Sequence, residues 1–399
     1  MKLSSGTKCR CTLGELIECF DNKRIPLSAQ ERATRKGPYR YYGAQNVVDH
    51  IDAYLFDGEY ALIAEDGENL RSQKQDVAQI VEGQFWVNNH AHIIQANANA
   101  DLWYLCALLN QTDISRYISG SAQPKLSQEG MRKIVVEVPD VQEQRRIGLL
   151  LRCLDRKIAL NRKKIATLEK MAKEIYDYWF VQYDFPDANG RPYKSSGGEM
   201  VYSPELKREI PKGWRVGCLA DIAQYPQETV RSDAIDIDHY VTTDSLLQEK
   251  LGRTQASNLP PVPVSLVAFQ KADTLVANIR PYLKKIWYAS EDGGCSQDVL
   301  VFHPINNELA PLLHSIVWQD AFFDYVMAAA KGSKMPRGDK AHIMAYPILL
   351  PDKSVVRRFG EVVEKFYAWR ECALKESASL TALRDYLLPL LMNGQVKVG

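Results

Sequence analysis

The chain has 399 residues, 50 Lys plus Arg against 49 Asp plus Glu, and 46% hydrophobic residues, the composition of an ordinary folded protein with two or three domains. No apolar run approaches the ~18 residues of a membrane span, the first twenty residues carry no readable secretory leader, and eight scattered cysteines without CxxC spacing read as reduced thiols, so cytoplasm is the expected compartment. A formal net charge of +1 excludes a uniformly basic coat for nucleic acid and leaves any polyanion to local patches.

The first such patch opens the chain. Residues 1–40 hold nine basic side chains against four acidic ones and lead into Tyr39, Tyr41 and Tyr42. Basic groups neutralise phosphates, while tyrosine and amide side chains can hydrogen-bond to backbone or bases. Arg35, Lys36, Arg40, Tyr41 and Tyr42 are therefore candidate DNA contacts. Short β-like runs follow, such as Ala91-His92-Ile93-Ile94 and Ile134-Val135-Val136-Glu137-Val138, broken by Gly, Asn, Asp and Pro. Between them lies Gly120-Ser121-Ala122-Gln123-Pro124-Lys125, a basic loop in which Gln123 and Lys125 are candidate contacts.

After Asp140 the pattern changes to a helical one. Asp140 and Glu143 make a capping-box-like start, and Leu151, Leu154, Ile158, Asn161, Ile165 and Leu168 share a seam stepping by four and three, with Asn161 as the polar position that can fix register. Residues 183–213 are rich in Pro and Gly and read as a crossover. A second mixed segment follows, with Val299-Leu300-Val301-Phe302 as a strand and a second basic set: Arg280, Lys284, Lys334, Arg337 and Lys340. The chain then ends in another long helical pattern, whose seam runs through Phe366, Trp369, Leu380, Leu383 and Leu387 and which Pro389 should kink or end.

The two halves are related. Gly332-Ser333-Lys334-Met335-Pro336-Arg337 repeats the first basic loop 212 residues later, the same offset joins Pro139-Asp140 to Pro351-Asp352, and Arg145-Arg146 falls on Arg357-Arg358. Fainter echoes link Tyr41-Tyr42-Gly43 to Tyr240-Val241-Thr242, and residues 60–64 to 274–277. The expected architecture is α/β of the α+β kind: two globular domains, a pseudo-twofold internal repeat, and a long antiparallel two-helix coiled coil between them.

Catalytic signatures are few. Neither GxGxxG nor GxxxxGK[ST] occurs. Asp187, Glu205 and Lys207 match a nuclease constellation weakly, in a segment with no apolar strands to fix them. His90 and His92 could share one face of a strand and hold a metal, though no third ligand is in view; Cys9 and Cys11 are too close for a zinc knuckle. No catalytic residue and no metal ligand is assigned.

Taken with the duplication, Lys23-Arg24-Ile25-Pro26-Leu27-Ser28, Tyr41-Tyr42-Gly43-Ala44, Asn88-Asn89-His90-Ala91-His92-Ile93, the repeated Gly-Ser-x-x-Pro loop, Ile210-Pro211-Lys212-Gly213-Trp214 and the end Leu387-Leu388-Pro389-Leu390-Leu391-Met392-Asn393-Gly394-Gln395 resemble the specificity subunits of type I restriction-modification systems, which serve host defence. The resemblance implies target-recognition domains at 1–140 and 214–352, spacer helices at 141–182 and 353–394, and the crossover at 183–213. It implies that double-stranded DNA is bound as a bipartite target and that the helices dock two methyltransferase subunits. S-adenosylmethionine, ATP and Mg would belong to those and to the restriction/translocase subunits, leaving this chain without cofactor or catalysis. A stand-alone DNA-modifying enzyme and a protein-only coiled-coil scaffold are the alternatives.

Overall fold

A computed structural model describes residues 8–44, 46–120 and 123–399. Lys2, in the basic arm, and Ser121 and Ala122, in the first basic loop, lie outside the described residues. The chain is a mixed α/β structure in two compact units, one formed by residues 1–160 with 376–399 and the other by 161–375. Among the described residues no helix is long and apolar enough to cross a membrane.

In the first unit β1 (Cys9–Thr12), β2 (Ile17–Cys19), β3 (Lys36–Tyr42), β4 (Val47–Ile51), β5 (Phe56–Ala64), β6 (Ala78–Val87) and β7 (Ala91–Ala96) precede the short hairpin of β8 (Ile118–Ser119) and β9 (Lys125–Leu126), and β10 (Val135–Val138) closes the body. A six-stranded sheet has the order β2-β7-β5-β6-β3-β4. Its one parallel pair is β3 with β6. β10 returns to β1 in antiparallel register. Alternation puts Ala61, Ile63 and Ile94 on the face that packs against Tyr104 and Leu105 of the helix Leu102–Asn110.

The second unit repeats this plan with different strand lengths. Tyr240–Val241 lies parallel to Gly293–Cys295, as β3 lies beside β6. Thr274–Ala277 lies antiparallel to Val299–Pro304, as β5 lies beside β7. Arg215–Cys218 pairs with Pro347–Leu350, as β1 pairs with β10. Both faint sequence echoes therefore occupy equivalent strands.

Each long helix contributes to both units. The first, Val141–Tyr176, begins where the Asp140 carboxylate accepts the amides of Gln142 and Glu143, the N-cap chemistry that satisfies otherwise orphaned donors. The second is Lys353–Met392. In the first unit they run antiparallel, tied by Arg384 to Asp155 at 2.8 Å and Lys157 to Glu376 at 3.1 Å. In the second unit Arg370 meets Glu169 at 2.6 Å, and the Tyr176 ring lies 6.4 Å from Phe359.

Three features depart from the sequence reading. The seam of the second helix runs through Phe359, Val363, Phe366, Arg370 and Ala373, all buried, whereas Trp369 is 53% exposed and Leu383 46%. Hydrophobic counting skips an arginine, but Arg370 is buried because Glu169 and the carbonyl of Lys250 receive its guanidinium. Pro389 does not itself end the helix, which runs three residues further, to Met392, and Asn393 N–H still donates to the Pro389 carbonyl. A proline this near the end removes one donor at the exposed turn of Asp385, where water can replace it. Residues 183–213 are a folded element rather than an open linker. Phe185 stacks between Tyr193 (4.6 Å) and Trp214 (5.1 Å), and Met200–Ser203 pairs with Arg208–Pro211 in a hairpin.

The second unit's core gathers on Phe359, fully buried and 4.8 Å from the Phe180 ring. Phe359→Ala should cost about 3–5 kcal/mol, read as a fall in the urea midpoint with an unchanged m-value. A midpoint within error of the parent would show that the aromatic cluster does not hold this unit together.

Candidate nucleic-acid interface

The motifs scattered along the first half converge at one end of its sheet. The amide of Asn88 donates to the Tyr42 carbonyl, which brings the turn after β3 beside the turn before β7. Glu65, just past β5, donates its amide to His90 and accepts that of Leu126, which fastens the β8–β9 hairpin to the same edge. Gly67 N–H reaches the Pro124 carbonyl.

Beneath the hairpin lies a buried charged cluster. Arg24 donates to Glu65 at 2.6 Å and to the Ala91 carbonyl at 2.8 Å, and it lies 3.4 Å from Asp21. His92, 1% exposed, has Nδ1 2.6 Å from Asp21 and Nε2 2.8 Å from the Leu126 carbonyl. Asp21 also accepts the amide of Ile93 at 2.9 Å. Burial pushes the Asp21 carboxyl up, but the His92 bond and charge, the Ile93 amide and Arg24 outweigh it and hold the group below its ordinary range. Glu65 is held down in the same way by Arg24, His92 and Lys125 against its own desolvation. Lys125 closes the cluster at 3.2 Å from Glu65 while its side chain stays more than half exposed.

The second half builds the same hairpin with other chemistry. Lys331 and Arg337 exchange backbone hydrogen bonds of 3.0 and 2.9 Å across the loop. Arg280 N–H donates to the Pro336 carbonyl at 2.8 Å, so the structure brings Arg280 next to Arg337. Where the first half uses Glu65, the second has Asn278, whose side-chain amide donates to the Gly338 carbonyl at 3.2 Å. Arg337 pairs with Asp298 at 3.1 Å. Lys334 is exposed on the loop, and Lys340, exposed as well, sits over the Tyr225 ring at 5.5 Å. Gln123, exposed on the first hairpin, corresponds at the offset of 212 to the exposed Met335 of the second.

Other candidates lie elsewhere. Tyr41 and Tyr42 are core residues, 0% and 5% exposed, and the Tyr41 hydroxyl is spent on the amide of Leu27 at 2.9 Å. They support the edge from within, because the strand places both rings inside the body. Arg35 and Lys36 pair with Asp52 and Asp49 at the far end of β3 from Tyr42. Arg40 donates to the Glu82 carbonyl and lies over the Tyr42 ring. Lys284 is paired with Asp320 at 2.9 Å, and the hydrogen bonds of Lys250 and Lys284 hold that carboxyl at about 2.

His90 and His92 do not share a site. His90 is exposed in a turn against Asp66 at 2.6 Å, while His92 points inward. Asp187 caps its own turn and pairs with Arg191. Among the described residues no group of three His, Cys, Asp or Glu side chains is placed to hold a metal ion. The Asp21–Arg24–Glu65–His92 cluster is not legible in the sequence because its members are 71 residues apart at the extremes; the local signal is His92, a polar residue inside the otherwise apolar run Ala91–Ile94.

A chain folded twice on one plan, each copy carrying a basic hairpin on a polar seat, has the build of a two-module protein. The profile of the type I restriction modification DNA specificity domain matches residues 10–170. The specificity subunit of the type I restriction enzyme MjaIX of Methanocaldococcus jannaschii is 24% identical over 324 residues, covering 74% of this chain and 69% of that protein. The EcoDI specificity subunit of Escherichia coli is 24% identical over 392 residues, covering 91% and 82%. The crystal structure of a type I restriction-modification S subunit from M. genitalium superposes with a TM-score of 0.65 at 14% identity, over 98% of both chains. The chain is similar to the specificity subunits of type I restriction-modification systems.

Both hairpins turn on glycine. Gly120 and Gly332 have φ of +82° and +102°, and an added Cβ would come 2.3 Å from the Gln123 carbonyl oxygen in the first loop and 3.1 Å from that of Met335 in the second. Gly120→Ala should therefore cost roughly 1–3 kcal/mol, and more than Gly332→Ala. Denaturant midpoints check the order; equal costs would show that the first loop relaxes freely.

Proposed function

We propose that this chain is the DNA-reading subunit of a type I restriction-modification complex, each half recognising one part of a bipartite target. The observation that carries the reading is the recurrence of one basic hairpin at equivalent places of both halves, with Lys125 and Arg337 at the same turn position. Each cation leans on a carboxylate that orients it without burying it. In this reading Lys125, Arg280, Lys334 and Arg337 set register on the phosphates. Side chains of the neighbouring turns then read base edges, where a good bidentate pair supplies ~1–3 kcal/mol of discrimination.

The domains of this reading are bodies at 1–140 and 214–352 with the helices as spacers. Two readers on a stiff connection accept half-sites at one separation and one rotational phase, about one duplex turn of roughly 34 Å. The helices also offer docking surface. Met171 and Leu383 lie 212 residues apart, at equivalent points of the repeat, and both are exposed, which suits two methyltransferase subunits bound in equivalent ways. S-adenosylmethionine, ATP and Mg act in those partners and in the translocase, and the assembly works in the cytoplasm. The purified chain incubated with plasmid, Mg²⁺, ATP and S-adenosylmethionine should neither nick nor methylate; either product would overturn this division of labour.

Two measurements test the reading. Lys125→Ala and Arg337→Ala should each weaken duplex binding and reduce the slope of log K against log[salt] by about 0.9 per lost phosphate contact; unchanged affinity at every salt concentration removes both contacts. Inserting four residues after Asn161 should shift or abolish the permitted half-site spacing, mapped by methylation of spacer-variant duplexes. A complex that still prefers the parental spacing would sink the spacer role.

A further inference from the structure

The cluster under the first hairpin does more than neutralise charge. His92 has a carboxylate oxygen on one ring nitrogen and a backbone carbonyl oxygen on the other. Both partners are oxygens, so the ring is held between two acceptors, one on each nitrogen. Its Nδ1 bond ends on Asp21, which is itself fixed by the Ile93 amide and Arg24. Its Nε2 bond ends on Leu126, the residue after Lys125 and the last of the hairpin. The ring is thus a bridge from the body to the hairpin, buried at 1% exposure where water does not compete. The other charged groups facing it are Glu65, 3.8 Å from Nδ1, and through Glu65 both Arg24 and Lys125.

The second half supplies an internal control. Strand registers place Ala91 opposite Ala64 and Val299 opposite Ala277, so Leu300 holds the position of His92. There the hairpin carbonyl, that of Gly338, is taken instead by the neutral Asn278 amide.

We infer that His92 is the positioning residue of the first half: by bridging Asp21 to the Leu126 carbonyl it fixes where Lys125 and Gln123 aim, and so sets recognition of the first half-site alone. This rests on the reading of the hairpins as DNA-facing.

Two substitutions separate the two ends of the bridge. The amide nitrogen of a glutamine falls near the place of histidine Nε2, and that of an asparagine near Nδ1. His92→Gln therefore keeps the bond to Leu126, and His92→Asn keeps only the bond to Asp21. In the complex assembled with methyltransferase subunits on its mapped target duplex, hydroxyl-radical footprinting should show the first half-site needing about tenfold more of the Asn complex than of the parent. The second half-site should be protected as before, and the Gln complex should stay within about threefold of the parent. Hydrogen exchange at the Leu126 amide should quicken in the Asn variant more than in the Gln variant. Asp21→Asn, which leaves the ring in place but removes its ionic anchor, gives a milder loss in the same half-site.

Asn and Gln variants that behave alike, or half-sites that weaken together, overturn the inference, because a side chain that merely stabilises the fold would give that result. Should exchange at Leu126 follow the expected order while even the parent complex protects no DNA, the bridge stands and the DNA-facing reading fails.

Discussion

Neither globular body closes its core without the long helices. In the first unit Ile147 and Leu151 from one helix and Leu391 and Met392 from the other lie in the same apolar cluster as Leu105, Leu126 and Ile134. In the second, Leu168, Phe359, Val363 and Phe366 complete a cluster that includes Leu219, Phe302 and Ile348. Burial of such side chains contributes about 1.5–3 kcal/mol each, so removing a helix from its body would open the core rather than detach an accessory. Because the packed interior resists gradual deformation, each body is fixed against its own stretch of helix. That constraint makes a helix surface and a hairpin parts of one rigid body within each unit.

The duplication keeps geometry and lets chemistry drift. Both halves preserve the pairing of outer strands, the glycine with positive φ at the loop, and a cation five residues beyond it. The seat beneath the loop is ionic in one half and neutral in the other. A buried ionic group is costly unless fully paired, and the first half meets that cost with converging donors and acceptors on Asp21 and Glu65. The second avoids it with Asn278, whose side-chain oxygen is left buried and without a hydrogen-bond partner. Two copies of one frame can therefore carry edges of different chemistry.

Much of this was legible in the residues. A constant offset of 212 exposed the repeat, and steps of four and three found both helices, because a helix that buries one face must repeat its apolar positions with that period. The faint echo at Tyr41-Tyr42 proved to mark an equivalent strand, although the same pattern could not say which way the rings point. Alternation places a side chain on a face; it does not decide whether that face is covered. Trp369 misled for a related reason. Hydrophobic counting rejects arginine, yet Arg370 is buried because its partner Glu169 comes from the other helix.

The sequence by itself determined the doubled plan, the two basic loops and the two long helices, since each is written in local spacing or in self-similarity. Only the tertiary structure decided that Asp21, Arg24, Glu65 and His92 meet under Lys125, that residues 183–213 fold around Phe185, and that Arg370 replaces Trp369 on the seam. Those outcomes depend on charges and rings supplied by segments distant in the chain. The free energy of burying a polar group is set by the partners it finds, and no local pattern records who they will be.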